Sequence, residues 1–383
     1  MKKLAVINFF LIFFLAGSFC QGINNDNFII THGPWLQYPG ESSVTICWTT
    51  NKAAIPGVII TNPDGTSRFV RNSTDGLVDG GGTLHKVQID GLKPGTSYRY
   101  SIHSVEILKY QAYKIYYGDT LVRKTESFVT PSKSGKVTFT VFNDVHELPG
   151  KMASYLRYMD IARQDFVFFN GDMVNFLQDP AQLFTGFLDT ASIYFAASKP
   201  FYYIRGNHET RGFAARELKE YFSFEDNSFY YSFDWGPVHF TILDSGEDKA
   251  DNNRYYYGLA EYDAYRLKEL EWLKQEVKSS SFLDAKYRIV LIHMPVIKEA
   301  NQSWAGKFLS DNFGAILNGS RINLMISAHF HKNIFHEKGK SGFDYPVLIN
   351  SNNSFVEVVA DAAGIKAVVK DTAGKTIAEY NLQ

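Results

Sequence analysis

Cysteine is almost missing from this chain of 383 residues, which has only Cys20 and Cys47. Cys20 lies in a segment expected to be removed. No intrachain disulfide is then available, stability must come from packing, and a thiolate-ligated metal site is excluded. Neither sign of charge dominates: Lys and Arg total 39 against 40 Asp and Glu, and removing Lys2 and Lys3 leaves 37 against 40. No basic run exists, so the electrostatic footprint by which nucleic-acid binding usually announces itself is lacking. Low-complexity tracts and internal repeats are lacking too. Long apolar runs are confined to the first residues, "MKKLAVINFFLIFFLAGSFCQG". Two lysines, an apolar stretch and then small residues form the layout of a secretory signal peptide over residues 1–20, cut near Ser18 to Cys20. The mature chain is then expected to have no transmembrane segment and to be secreted or periplasmic. Lipidation of Cys20, giving a surface lipoprotein, is the alternative, although Phe19 fits a lipoprotein signal poorly.

What the chain has in quantity is aromatic and apolar content, with 31 Phe, 23 Tyr and 45% hydrophobic residues, as a folded globular protein requires. Its length exceeds one average domain, and two patterns divide it. Over residues 25–131 short alternating segments such as "SSVTICWTT" and "TLHKVQIDGLKPGTSYRYSIHSV" are separated by turn residues, which predicts an all-β sandwich. His32, His85 and His103 are isolated there and read as surface or packing residues. After the polar linker "VTPSKSGK", residues 135–383 alternate apolar runs with helix-like segments, which predicts an α/β unit with parallel strands. A hairpin over "SFYYSFDWGPVHFTILDSG", an amphipathic helix over "LAEYDAYRLKELEWLKQEV" and a return to strands after Tyr345 are also expected.

The polar residues of the second unit follow a rule. Asp144 and His146 come after "TFTVFN", Asp172 after "FVFFNG", Asn207 and His208 after "FYYIRG", His293 after "IVLI", and His329 and His331 after "LMISA". Each group sits beyond the carboxyl end of an apolar strand, the edge where open α/β sheets bind ligands. His329 and His331 are spaced i, i+2, so in an extended chain both point to one side. Carboxylate, imidazole and amide oxygen suit Zn, Mn or Fe, and the set is too large for one four-coordinate ion but divides between two if a carboxylate bridges.

These residues resemble the calcineurin-like metallophosphoesterase superfamily, whose blocks appear as "DVH", "GDMVN", "GNHE", "IHMP" and "AHFH" in the family's order. The β-rich front end, with "ICWTT", Trp48 and "GLKPGTSYRYSI", resembles a fibronectin type III-like module and the arrangement of purple acid phosphatases. The resemblance implies two metal ions per chain. Asp144, His146 and His331 would hold one, Asn207, His293 and His329 the other, and Asp172 would bridge them. It implies an α/β (α+β sandwich) phosphoesterase domain that hydrolyses phosphate esters, expected to be monoesters, by a metal-bridging hydroxide, with His208 as catalytic acid or charge stabiliser. Its substrate would be a small phosphorylated molecule or a phosphorylated macromolecule.

Three departures stand out. His146 and Asn175 replace the glycine and tyrosine of purple acid phosphatases, so the iron charge-transfer colour is not expected. Ala328 replaces the glycine of the last block. Asn175 stands where related phosphatases carry an aspartate, and could orient His208 with less effect on its basicity. Arg205 is a candidate either for phosphate contact or for a packing or salt-bridge role, Asn143 a candidate partner of the metal ligands, Glu209 a loop-fixing residue and Asp244 a structural one. Competing readings are a phosphodiesterase or nucleotidase with the same metals, a surface-binding protein with an inert metal domain, and a mononuclear iron oxygenase. The last would leave Asp172 and Asn207 idle.

Overall fold

The computed structural model describes residues 27–132, 135–224, 227–300 and 302–382. The expected leader with Cys20 lies outside the described residues. No helix among the described residues is long and apolar enough to cross a membrane.

From Ile30 to Val129 the chain forms strands and turns. The principal strands are β1 (Ile30–Gly40), β2 (Ser43–Thr61), β3 (Gly82–Asp90), β4 (Ser97–Gln111) and β5 (Lys114–Val122). Alternation explains them: in β3 and β4 every second residue is buried, the pattern of a sheet wet on one face. The inward residues Ile46, Trp48, Val58, Val87, Tyr100 and Ile102 belong to one core. Trp48 is fully buried there and its indole N–H donates to Ser104 Oγ at 2.9 Å. None of the three histidines of this region approaches the polar groups of the second unit's strand ends. His85 is buried beside Thr50, His103 packs edge-on to Phe69, and His32 pairs with Asp189 while stacking on Phe184.

The second part packs two sheets face to face. One contains β6 (Val137–Phe142), β7 (Phe166–Asn170) and β8 (Phe201–Ile204), all parallel, flanked by the antiparallel β15 (Ser354–Asp361), β16 (Gly364–Asp371) and β17 (Thr376–Leu382). The other runs β9 (Tyr231–Trp235), β10 (Val238–Ile242), β11 (Tyr287–Leu291), β12 (Leu324–Ser327), β14 (Val347–Ile349) and β13 (Ile334–His336). Strand period two sorts the side chains between layers. Phe166 and Phe168, with Ile289 and Leu291, fill the space between the sheets, whereas Val167 and Phe169 face one outer helical layer and Val290 faces the other. The strands therefore read as continuous apolar runs because both faces are covered. The architecture is mixed α/β. The expected helix is present as Tyr262–Glu276 and the expected hairpin as β9 and β10.

The two parts share a sheet. Gln37 in β1 pairs in parallel with Phe201 in β8, so the first sheet continues into the N-terminal strands. Polar contacts reinforce the join: Tyr100 Oη donates to the Ala197 carbonyl at 2.7 Å, and Gln37 Oε1 accepts from the Ser223 N–H at 2.9 Å.

One buried polar link ties β10 to the long helix. His239 Nδ1 is 2.6 Å from Asp234 Oδ1, and its Nε2 is 2.6 Å from Glu276 Oε1. Burial opposes protonation, but carboxylates on both nitrogens outweigh it and raise the imidazole above its ordinary 6.5. A raised folded-state value gives stability that is fully present below that ordinary value and lost as pH climbs through the raised one. The unfolding free energy of the wild type should exceed that of His239→Gln by about 1–2 kcal/mol near pH 6, and the difference should shrink by pH 9. Paired denaturant titrations at the two pH values check this.

Candidate metal centre

The polar residues singled out at the strand ends do converge, but not along one sheet. β6, β7 and β8 deliver Asp144, His146, Asp172, Asn207 and His208 from the first sheet, while β11 and β12 deliver His293, His329 and His331 from the second. The centre lies where the carboxyl ends of the two sheets meet.

Backbone pairing carries the order of each sheet into its loops. In the first, the N–H groups of Asp144, His146 and Glu147 donate to the carbonyls of Gly171, Asp172 and Met173, each at 3.0 Å. In the second, the Ala328 N–H donates to the His293 carbonyl at 2.9 Å. Across the sheets, His293 Nδ1–H donates to the Asn170 carbonyl at 2.8 Å, and Asn350 Nδ2 donates to Asn143 Oδ1 at 2.6 Å.

The conformation is costly. Ten non-glycine residues among those described have positive φ, and five of them are Asp144, His146, Asp172, His329 and His331. Left-handed backbone at such residues costs on the order of 1–3 kcal/mol each and persists only where the surroundings impose it. Ala328, in place of a glycine, is not among the positive-φ residues, so its methyl group meets no such penalty.

Three groups of side chains emerge, each with its ligand atoms within 4.8 Å of one another: Asp144, His146 and His331; Asp172, His293 and His329; and His146, Asp172 and His208. Asp144 Oδ1 is 3.1 Å from His331 Nε2, and Asp172 Oδ2 is 3.1 Å from His293 Nε2. The third group shares His146 with the first and Asp172 with the second. Asn207 Oδ1 is buried without a hydrogen-bond partner, and so is His293 Nε2, which faces Asp172 out of hydrogen-bond alignment. With Nδ1–H committed to a carbonyl, Nε2 is the atom that faces the carboxylate, and a cation between them, whether a proton or a metal ion, satisfies both. The donor set therefore fits metal ions.

The electrostatics agree. Burial alone would raise the pKa values of Asp144 and Asp172, but the imidazoles around them prevail and both are lowered. Burial disfavours a charged His293, yet the charge of Asp172 overrides it and pushes the imidazole up to about 10. Burial, with the neighbouring His293, brings His329 down to about 4. Two buried carboxylates thus create a field that attracts positive charge. Exposure is graded: the side chains of His293 and Asp172 are 0% and 2% exposed, whereas His208 is 28% and His331 45% exposed, so solvent reaches the centre from the latter side.

The remaining predicted residues fall into place differently. Asn143 Nδ2 donates to Asp144 Oδ2 at 2.7 Å, fixing that carboxylate as expected. Asn175 does orient His208, but with its backbone: the carbonyl accepts from His208 Nδ1–H at 2.6 Å, while the side chain donates to the His146 carbonyl and Glu147 Oε2. A neutral carbonyl fixes the tautomer without adding charge. Glu209 holds the loops, accepting from the N–H groups of Asp172, Met173 and Gly206 at 2.7–2.9 Å. Arg205 takes the salt-bridge role among the two open to it. Its guanidinium pairs with buried Asp244 and lies 4.0 Å over the Phe229 ring, so it is committed to structure. The arginine that reaches the centre is Arg211, which sequence reasoning missed. Its Nη1 lies 3.2 Å from His208 Nε2, and Nε and Nη2 are clamped by Glu247 at 2.8 and 2.7 Å. Both arginines flank the same block, "RGNHETR", and nothing in the pattern separates them.

Comparison with known proteins agrees with this geometry. Residues 137–333 match the family model described as calcineurin-like phosphoesterase. Purple acid phosphatase 21 of Arabidopsis thaliana is 22% identical over 374 residues, covering 86% of this chain and 77% of that protein. Purple acid phosphatase 22 of the same plant is 26% identical over 265 residues, 63% and 57% of the two chains. Among solved structures, purple acid phosphatase PPD1 from yellow lupin seeds superposes with a TM-score of 0.65 at 14% identity, covering 91% of this chain and 73% of that one. PhoD superposes with a TM-score of 0.58 at 14% identity, covering 92% and 90%. At these identities the structural likeness is one of fold.

Two glycines let the loops close on the centre. A Cβ on Gly206 would stand 2.3 Å from Asp172 Oδ1 and 2.4 Å from its backbone nitrogen, and one on Gly171 would stand 2.5 Å from His293 Nδ1. Gly206→Ala should therefore displace Asp172, weaken metal binding about tenfold or more and cost about 1–3 kcal/mol of stability. Elemental analysis after dialysis against a metal buffer, with thermal melting alongside, measures both.

Proposed function

From the premise that this chain belongs to the calcineurin-like phosphoesterase family, and is a metal-dependent hydrolase of phosphate esters, we propose that it is a phosphomonoesterase with a two-ion centre. Asp144, His146 and His331 hold one ion, Asn207, His293 and His329 hold the second, and Asp172 is shared. The observation that carries this reading is the convergence of Asp144, His146, Asp172, His208, His293, His329 and His331 from five loops into three groups, the third sharing His146 with the first and Asp172 with the second, beside the buried and unpartnered Asn207 Oδ1. Ions bound there would neutralise the ester oxygens and acidify the attacking water, work that Fe, Zn or Mn can do.

The chain's own residues supply position and polarity. Asp172 uses both oxygens: Oδ1 accepts the His208 backbone N–H at 2.9 Å, while Oδ2 faces His293. His208 is thereby held at the rim with Nε2 toward the centre, 3.8 Å from Asp172 Oδ2. With Nδ1–H held by the Asn175 carbonyl, a second proton carried on Nε2 would pass to the leaving oxygen or steady its developing charge. Arg211 stands beside it, with two of its nitrogens fixed by Glu247, and contributes positive charge at the point where the ester would split.

Residues 25–131 are read as a fibronectin type III-like module of the kind that precedes purple acid phosphatase catalytic units, and residues 135–383 as the hydrolase. The separate core around Trp48 supports that division. The leader-like residues 1–20 support export from the cytoplasm.

His208→Ala should lower kcat about 10²–10⁴-fold while leaving metal content near that of the wild type. Turnover of p-nitrophenyl phosphate and bis(p-nitrophenyl) phosphate, together with elemental analysis, tests both the residue and the ester class. Metal loss in proportion to activity would make His208 a ligand or support, and preference for the diester would replace the monoesterase reading.

A further inference from the structure

A groove of about 700 Å³ adjoins His208 on the side of Arg211. Arg211 belongs to both: it lines the groove and its Nη1 touches His208 Nε2 at 3.2 Å. The groove is walled by Phe213, Tyr255, Tyr257 and Leu259, whose exposures are 73%, 63%, 88% and 75%. Four large apolar or aromatic side chains gathered in one concave place, held open to water, mark a binding surface more than a packing accident.

The backbone that carries these walls is held in place before any ligand arrives. Gly212, at φ 100°, passes so close to the Leu177 carbonyl that a Cβ would stand 2.4 Å from its oxygen. The Leu177 N–H donates to the Arg211 carbonyl, and the Ala214 N–H to the Leu177 carbonyl, which brackets Phe213. Opposite, Asn253 Oδ1 accepts from the Tyr255 N–H at 3.1 Å, and Asp251 accepts from the N–H groups of Tyr262 and Asp263. Arg254 lies 4.9 Å over the Tyr255 ring and bonds its hydroxyl, further fixing that ring. Fixed aromatic faces lose little entropy on binding and select for flat partners.

We infer that this groove is the leaving-group subsite and that it takes a planar aromatic ring carried by the alcohol part of the phosphate ester. The inference rests on the hydrolase reading for its chemistry but on Phe213, Tyr255 and Tyr257 for its specificity. With phosphorus at the centre, His208 stands between the reacting group and the groove, so the departing alcohol is directed past Arg211 onto the aromatic walls. A nucleoside and an aryl alcohol share the required chemistry. Glycerol lacks it.

Two arms test this. In the first, full-length protein treated with chelator is titrated with adenosine, N-acetyltyrosinamide or glycerol and followed by saturation-transfer NMR. At least one ring compound should bind, glycerol should not, and the Tyr255→Ala/Tyr257→Ala protein should bind the ring compound about tenfold more weakly. Tyr257→Ala alone, which removes a ring that is 88% exposed, serves if the double variant melts early. In the second, kcat/KM of the metal-loaded protein for adenosine 5′-monophosphate and for O-phosphotyrosine is divided by that for glycerol 3-phosphate. Each ratio exceeding unity should fall about tenfold in the double variant, through KM. The ring compound that responds in both arms identifies the source. Equal binding of ring compounds and glycerol, or ratios unmoved by the substitutions, overturns the subsite. Binding that behaves as expected in a protein inert toward all three esters would instead sink the hydrolase reading alone.

Discussion

Asp144 and Asp172 are carboxylates almost fully withdrawn from water at the ends of neighbouring strands. Burying such charge costs several kcal/mol per ion unless positive charge and hydrogen-bond donors meet it. Much of the second unit's architecture can be read as the means of meeting it. Asn143 and the His329 N–H serve Asp144, the His208 N–H serves Asp172, and imidazoles from both sheets face the two carboxylates. What the protein groups leave unbalanced is a field that metal cations answer.

The same constraint explains the backbone. To aim ligands at a shared space from strands that end side by side, the chain turns sharply beyond β6, β7 and β12, where the left-handed residues Asp144, His146, Asp172, His329 and His331 fall. Gly171 and Gly206 occupy the two points where loops approach too closely for any side chain. Glu209 gathers the N–H groups that such turns leave unpaired. The cost of the turns is offset by the packed layers beneath, where Phe139, Phe166, Phe168 and Phe240 interlock between the sheets. A rigid floor and strained rim are what hold ligand atoms to within fractions of an ångström.

Exposure then divides the labour. The His293 side is dry and suits holding charge, and the His208 and His331 side is open and suits exchange of substrate and product. Arg211 lies at that opening, linked through Glu247 to the loop that carries the tyrosines. On the proposed reading, chemistry and selectivity fall to different parts of one continuous surface. The N-terminal strands stand apart from both, although sharing a sheet with β8 makes them a firm support for the loop bearing Asn207 and His208.

Much of this was written locally. Apolar runs followed by Asp, His or Asn marked the ligand-bearing strand ends, because a strand covered on both faces must be apolar and its polar residues can only come where it stops. The hairpin and the long helix were legible for the same reason of periodicity, and the core role of Trp48 through the resemblance of its surroundings to a fibronectin type III-like module. Three matters were not. The partition of the strands between two sheets depends on pairings distant in sequence, such as Ile289 with Leu324 and Val167 with Phe201. The opposite fates of Arg205 and Arg211 turn on which of Asp244 and Glu247 each can reach. The orientation of His208 comes from a main-chain carbonyl at Asn175, a group that every residue carries and no pattern of side chains can reveal. Residue types along the chain determined what could bind. Only long-range packing decided which groups face one another, because contact energies fall off within ångströms while the residues concerned lie tens of positions apart.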